Sequence, residues 1–102
     1  MKFGINTFLF TSPFDNSSTK LFKQFKRWGF DSVEIAIEDP SHIDPAHVKR
    51  ELDRYGLVCG SVCAAMGPDR DLIHEDESIR TNGKNYIRQA IEATRAVGAT
   101  NL

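Results

Sequence analysis

The sequence predicts an α/β protein of parallel βα repeats, a partial (β/α)8 TIM barrel of about three and a half βα units forming one domain over residues 1–102. Three observations predict it. Apolar strand-like runs alternate with stretches of helical period. The rhythm recurs about every 30 residues, and each helix-to-strand joint (Trp28-Gly29-Phe30, Tyr55-Gly56-Leu57 and Val97-Gly98-Ala99) contains a helix-ending glycine. The strands have unlike faces, large aliphatic on one and small or polar on the other, as a wall between a helical layer and a barrel interior requires.

The elements follow in order. Strand one is Phe3 to Phe8, and a polar loop from Thr11 to Ser18 ends in side chains able to cap a helix. Helix one runs from about Thr19 to Trp28, with Leu21, Phe22, Phe25 and Trp28 at helical spacing as core. Strand two is Ser32 to Ile37, ended by Asp39-Pro40 because proline cannot continue a ladder. Helix two takes Asp44 as cap and Pro45 as its first residue, and ends at Tyr55. Strand three is Leu57 to Ala64, helix three runs from about Asp76 to Val97, and Ala99 to Leu102 reads as strand four beginning.

Side-chain alternation assigns the faces. Val33, Ile35 and Ile37 in strand two, Phe3, Ile5 and Thr7 in strand one, and Val58, Val62 and Ala64 in strand three are expected against the helices. The inward set is then Asn6, Glu34, Ser61, Cys59 and Cys63 with their small neighbours. A doubly wound sheet is the alternative, but the loop after strand one lacks the G-x-G-x-x-G phosphate fingerprint.

Composition narrows the function classes. The 13 basic and 14 acidic residues are interspersed, giving a net charge of -1, so no basic face is available to a phosphate backbone and nucleic acid is not an expected partner. The amino-terminal stretch has no long apolar run, and no membrane partner and a cytoplasmic location are expected. Cys59 and Cys63 lie on one strand, roughly 13 Å apart, too far for a disulfide. They are expected as free, buried thiols without a C-x-x-C metal or redox spacing.

Several polar residues invite a functional reading beside a structural one. Glu34, a carboxylate inside an apolar strand, must be paired; it either orients catalytic residues or serves as a buried hydrogen-bond acceptor. Glu38 and Asp39, at the carboxyl end of strand two, are substrate contacts or solvated loop charges. Arg70 in Asp69-Arg70-Asp71 can meet a sugar hydroxyl or phosphate, or pair with a neighbouring aspartate. His42, His47 and His74 show no H-x-H or H-E-x-x-H spacing. His47 is expected at the surface, and the acids after His74 are expected to answer a helix dipole rather than to bind a metal.

Met1-Lys2-Phe3-Gly4-Ile5, Gly29-Phe30-Asp31-Ser32-Val33-Glu34-Ile35, Gly67-Pro68 after strand three and Ser78-Ile79-Arg80 opening a long helix resemble the D-tagatose and D-psicose 3-epimerases, the ketose 3-epimerase family of the xylose-isomerase-like barrels. The likeness covers the whole chain and about the first third of such an enzyme. It implies an isomerase that moves the proton at C3 of a small ketose, using a divalent metal (Mn2+, or Mg2+ or Co2+) held by acidic residues and a histidine on later strands. Catalytic and metal-binding residues are thus expected beyond Leu102, with none in this chain, and the 102-residue piece alone is expected to be inactive. By position, the resemblance makes Asn6, Phe14 and Ala65 substrate-binding residues. The family usually has an aromatic residue in place of Asn6 and a tryptophan in place of Phe14. Two rival readings stand beside it: a DNA-repair endonuclease of the same superfamily, and a non-catalytic βα module. Open strand edges lead us to expect a homo-oligomer.

Overall fold

Val33, Ile35 and Ile37 set the centre of the fold. They alternate with Ser32, Glu34 and Ala36 along β2 (Ser32–Ile37), and all three are fully buried. In the computed structural model, which describes residues Met1–Leu102, β2 lies between β1 (Gly4–Asn6) and β3 (Val58–Ala64) and is parallel to both, so that spatial order follows chain order. Helices α1 (Leu21–Arg27), α2 (Pro45–Arg54) and α3 (Glu77–Ala96) complete the repeats. Phe22 and Phe25 from α1, Val48 and Leu52 from α2, and Ala93 and Val97 at the end of α3 join the β2 aliphatics in one core. Burying each large side chain stabilises the fold by about 1.5–3 kcal/mol. The partial TIM barrel read from the sequence is the architecture found.

The helix boundaries follow from their caps. The Asp44 carboxylate accepts the Ala46 N–H at 2.9 Å with Pro45 next in line, and Asp76 accepts the Ser78 N–H at 2.8 Å. Gly29, Gly56 and Gly98 follow the helices with φ of +90°, +64° and +84°, the left-handed conformation that closes a helix.

Several expectations are corrected. Strand one stops at Asn6, not Phe8, because the Asn6 Oδ1 accepts the Phe8 N–H at 2.8 Å and turns the chain into a 3-10 turn at Thr7–Leu9. Thr7 still reaches β2: its hydroxyl oxygen accepts the Ala36 N–H at 3.0 Å. Helix one is preceded by a 3-10 turn, Asn16–Lys20, in which Asp15 and Ser18 cap each other reciprocally. Trp28 is not core: it caps the end of α1 with 55% of its surface exposed, one face resting on Phe10 and Phe25.

A further correction concerns β3. Val33 pairs with Cys59 but Glu34 pairs with Ser61, so Gly60 is an extra residue and a bulge. One inserted residue reverses the alternation. Cys59 therefore joins the helix-side core, while Val58, placed there by simple alternation, is 61% exposed. Phe3, expected to open strand one against the helices, lies just before β1 and is likewise exposed. Ala99 to Leu102 form no assigned strand, but the Asn101 carbonyl accepts the Val62 N–H at 3.0 Å, beginning a fourth position beside β3.

Candidate active-site face

The register brings Asn6, Glu34 and Ser61 into one row across the three strands. The Asn6 side-chain amide donates to Glu34 Oε2, and the Ser61 hydroxyl donates to Glu34 Oε1 at 2.8 Å. Both oxygens of a partly buried carboxylate are thereby satisfied, which is what allows a charge to sit on this strand. The Asn6 amide is fixed from its other end by the Phe8 N–H, so the row is built of side chains with defined orientations. Cys63 flanks the row beyond Ser61. Burial, and secondly the Glu34 charge, push its thiol up, and burial pushes Cys59 up to about 11. Both are free thiols that stay protonated at neutral pH, which disfavours either as a nucleophile.

Phe14 lies apart from this row. Its ring is 1% exposed and stacks on Phe22 with centroids 6.2 Å apart, so it anchors the loop after β1 to the core and offers no open face here. Ala65 sits just past β3 and is half-buried. Its N–H donates to the Tyr86 hydroxyl oxygen at 2.7 Å, and its carbonyl accepts from Arg70 Nε and Nη2 at 3.0 and 2.6 Å. Arg70 does not pair with a neighbouring aspartate: its guanidinium is turned back onto Ala65 and lies 4.2 Å from the centre of the Tyr86 ring. Tyr86, inside α3, carries no mark in the sequence that sets it apart. Its phenol is buried and donates to the Ile37 carbonyl at 2.5 Å, 49 residues away in sequence, a contact with no signature in helical periodicity.

At the end of β2, Glu38 is not a solvated charge. Ser12 donates to its Oε2 at 2.9 Å, while its Oε1 is enclosed without a partner. Asp39 caps the 3-10 turn Pro40–His42, and hydrogen bonds from Ser41, the hydroxyl first and the N–H second, hold its carboxyl below the usual carboxylate range. His47 is half-buried rather than surface, with Nε2 3.3 Å from the Thr19 hydroxyl. His74 accepts the Asp76 N–H at 3.0 Å, and the acids beside it serve the first turn of α3 as expected. No three His, Cys, Asp or Glu side chains are gathered so as to hold a metal ion, so the donor set of this chain does not fit one. No helix is long and apolar enough to cross a membrane.

Residues 22–102 match the family described as the xylose isomerase-like TIM barrel. Over 102 residues the chain is 30% identical to a probable ketose 3-epimerase of Synechocystis sp., covering 100% of this chain and 35% of that protein. It is 32% identical to an L-ribulose 3-epimerase of Methylomonas sp. over 76 residues, 74% of this chain and 26% of the relative. A D-allulose 3-epimerase from Methylomonas sp., solved in complex with D-allulose, superposes with a TM-score of 0.83 at 25% identity, over 98% of this chain and 35% of that one. The chain spans about a third of the length of these relatives. With the parallel βα order already in place, the match over residues 22–102 shows that this chain belongs to the xylose isomerase-like TIM barrel family.

Proposed function

We propose that the protein carrying this chain is a sugar epimerase that inverts a small ketose at C3 by proton transfer, with these residues forming the early strands of its barrel. One observation carries the reading: the whole chain, including the segment before residue 22, aligns with a protein named as a ketose 3-epimerase. In this reading Asn6 and Ala65 face the sugar at the carboxyl ends of β1 and β3, Phe14 sets the loop after β1 from the core, and Glu34 orients its neighbours through its paired oxygens. A divalent metal, for which Mn2+ is the first candidate and Mg2+ or Co2+ the alternatives, would be held by residues outside this sequence. The endonuclease reading has less support, since the charges are interspersed and offer no basic groove.

The test is turnover in deuterium oxide. The whole protein, supplied with a divalent metal and a panel of ketoses, should yield the C3 epimer and incorporate deuterium at C3; epimer without deuterium, or no epimer from any ketose, would overturn the proposal. Asn6→Ala should change the preferred ketose or its turnover. Because Asn6 also donates to Glu34 and caps Phe8, a stability loss of about 1–2 kcal/mol should accompany that change. A fall in melting temperature with an unaltered ketose profile would make Asn6 structural.

We also infer that this 102-residue chain, taken alone without the later strands that would close a barrel, self-associates. The outer edge of β1 is unpaired, and Phe3, Phe8 and Leu9 are exposed beside it, a combination that invites a second chain. Light scattering should report a dimer or larger species, and a strict monomer at high concentration would refute this.

A further inference from the structure

The ladder between β2 and β3 ends at the pair Ile37 and Ala64. One residue further on, the strands do not bond directly. The Tyr86 hydroxyl from α3 stands between them, donating to the Ile37 carbonyl at 2.5 Å and accepting the Ala65 N–H at 2.7 Å. A phenol therefore takes the place of the next rung. We infer that Tyr86, together with Arg70, is a positioning pair that fixes the Ala65 peptide and holds the carboxyl ends of β2 and β3 apart by the width of one hydroxyl group, thereby setting how a ketose is seated there.

The support is independent on each side of the peptide. Tyr86 is 5% exposed, and burial raises its phenol above its ordinary value, so the proton needed for the bond to Ile37 is retained through the neutral range. Arg70 places two donors on the Ala65 carbonyl and lies over the Tyr86 ring, so the two side chains brace each other as well as the shared peptide. The loop that carries Arg70 is itself seated on α3, where the Asn82 amide donates to the Asp69 carbonyl at 3.2 Å. No aspartate forms an ion pair with Arg70, which leaves its guanidinium committed to Ala65.

The inference rests on the epimerase reading for its substrate, and the experiment separates the two. Tyr86→Phe keeps the ring under Arg70 and removes only the hydroxyl. In the whole protein, KM for the ketose should rise about tenfold, the worth of one positioned hydrogen bond, with kcat changed less than about threefold. Amide exchange at Ala65 should quicken by about tenfold as its acceptor is lost. Arg70→Lys, which keeps the charge but loses the fork, should raise KM in the same way, and the double variant should fall short of the product of the two effects because both act through one peptide. A lowered melting temperature with KM within about twofold of the parent would make the pair merely structural, and an unchanged Ala65 exchange rate would remove the bridge itself. If the unsubstituted protein turns over no ketose, the functional reading fails on its own account. The seating role falls with it, while the exchange measurement still judges the bridge.

Discussion

Gly83→Ala is expected to destabilise the protein by about 1–3 kcal/mol, although alanine in mid-helix would ordinarily stabilise by about 1 kcal/mol. Gly83 is buried within α3. A Cβ built there would lie 2.6 Å from the Arg70 carbonyl oxygen and 2.9 Å from Leu72 Cδ2. The leucine is half exposed and can move; the carbonyl is backbone and can move only with its loop. The 3-10 turn Pro68–Arg70 would have to lift from the helix, carrying with it the guanidinium that holds Ala65. Thermal unfolding measures the first effect and amide chemical shifts from Asp69 to Leu72 the second. A raised melting temperature with unmoved shifts would show that the helix and loop are not in close contact.

Glu34→Leu is expected to cost about 2–4 kcal/mol, because it strands the Asn6 amide and the Ser61 hydroxyl together in a partly buried row. Glu34→Gln should cost less than about 1 kcal/mol, since its amide oxygen can accept from Asn6 while its NH2 donates to a rotated Ser61 hydroxyl. This pair separates charge from hydrogen bonding. If Glu34 orients catalytic groups through its charge, Glu34→Gln should retain the melting temperature and lose turnover by about tenfold or more. Full activity in Glu34→Gln would reduce Glu34 to a structural acceptor, and a stable Glu34→Leu would show that the row is not a connected network.

The parts of the fold legible in the sequence were those fixed by local chemistry. Asp44-Pro45, Asp76 and the glycines at 29, 56 and 98 act within a few residues of themselves, and the helix ends they imply are those observed. Strand β2 was legible to the residue because every second side chain is a buried aliphatic. Parity failed at Gly60, where one extra residue reverses the facing of Cys59 and Val58, and a single sequence gives no sign of which partner residue is skipped. Trp28 matched helical spacing yet falls where the helix ends, beyond the last turn that presses on the sheet. The Asn6–Glu34–Ser61 row was foreseeable as a facing set. The joining of Ile37, Ala65, Arg70 and Tyr86 was not, since its bonds span from 5 to 49 residues and depend on how α3 lies across the strand ends.

Spatial order matching chain order in the sheet bears on how the protein is made. Here β2 and β3 each pair with the strand synthesised just before them, and the paired residues lie 26 to 28 positions apart in sequence. Neither β2 nor β3 has to wait for a distant segment before finding its first neighbour, and neither must be wedged between two strands that have already paired. The sheet can thus be laid down from β1 outward while the chain emerges from the ribosome, with Asn101 already reaching for Val62 as the next strand arrives.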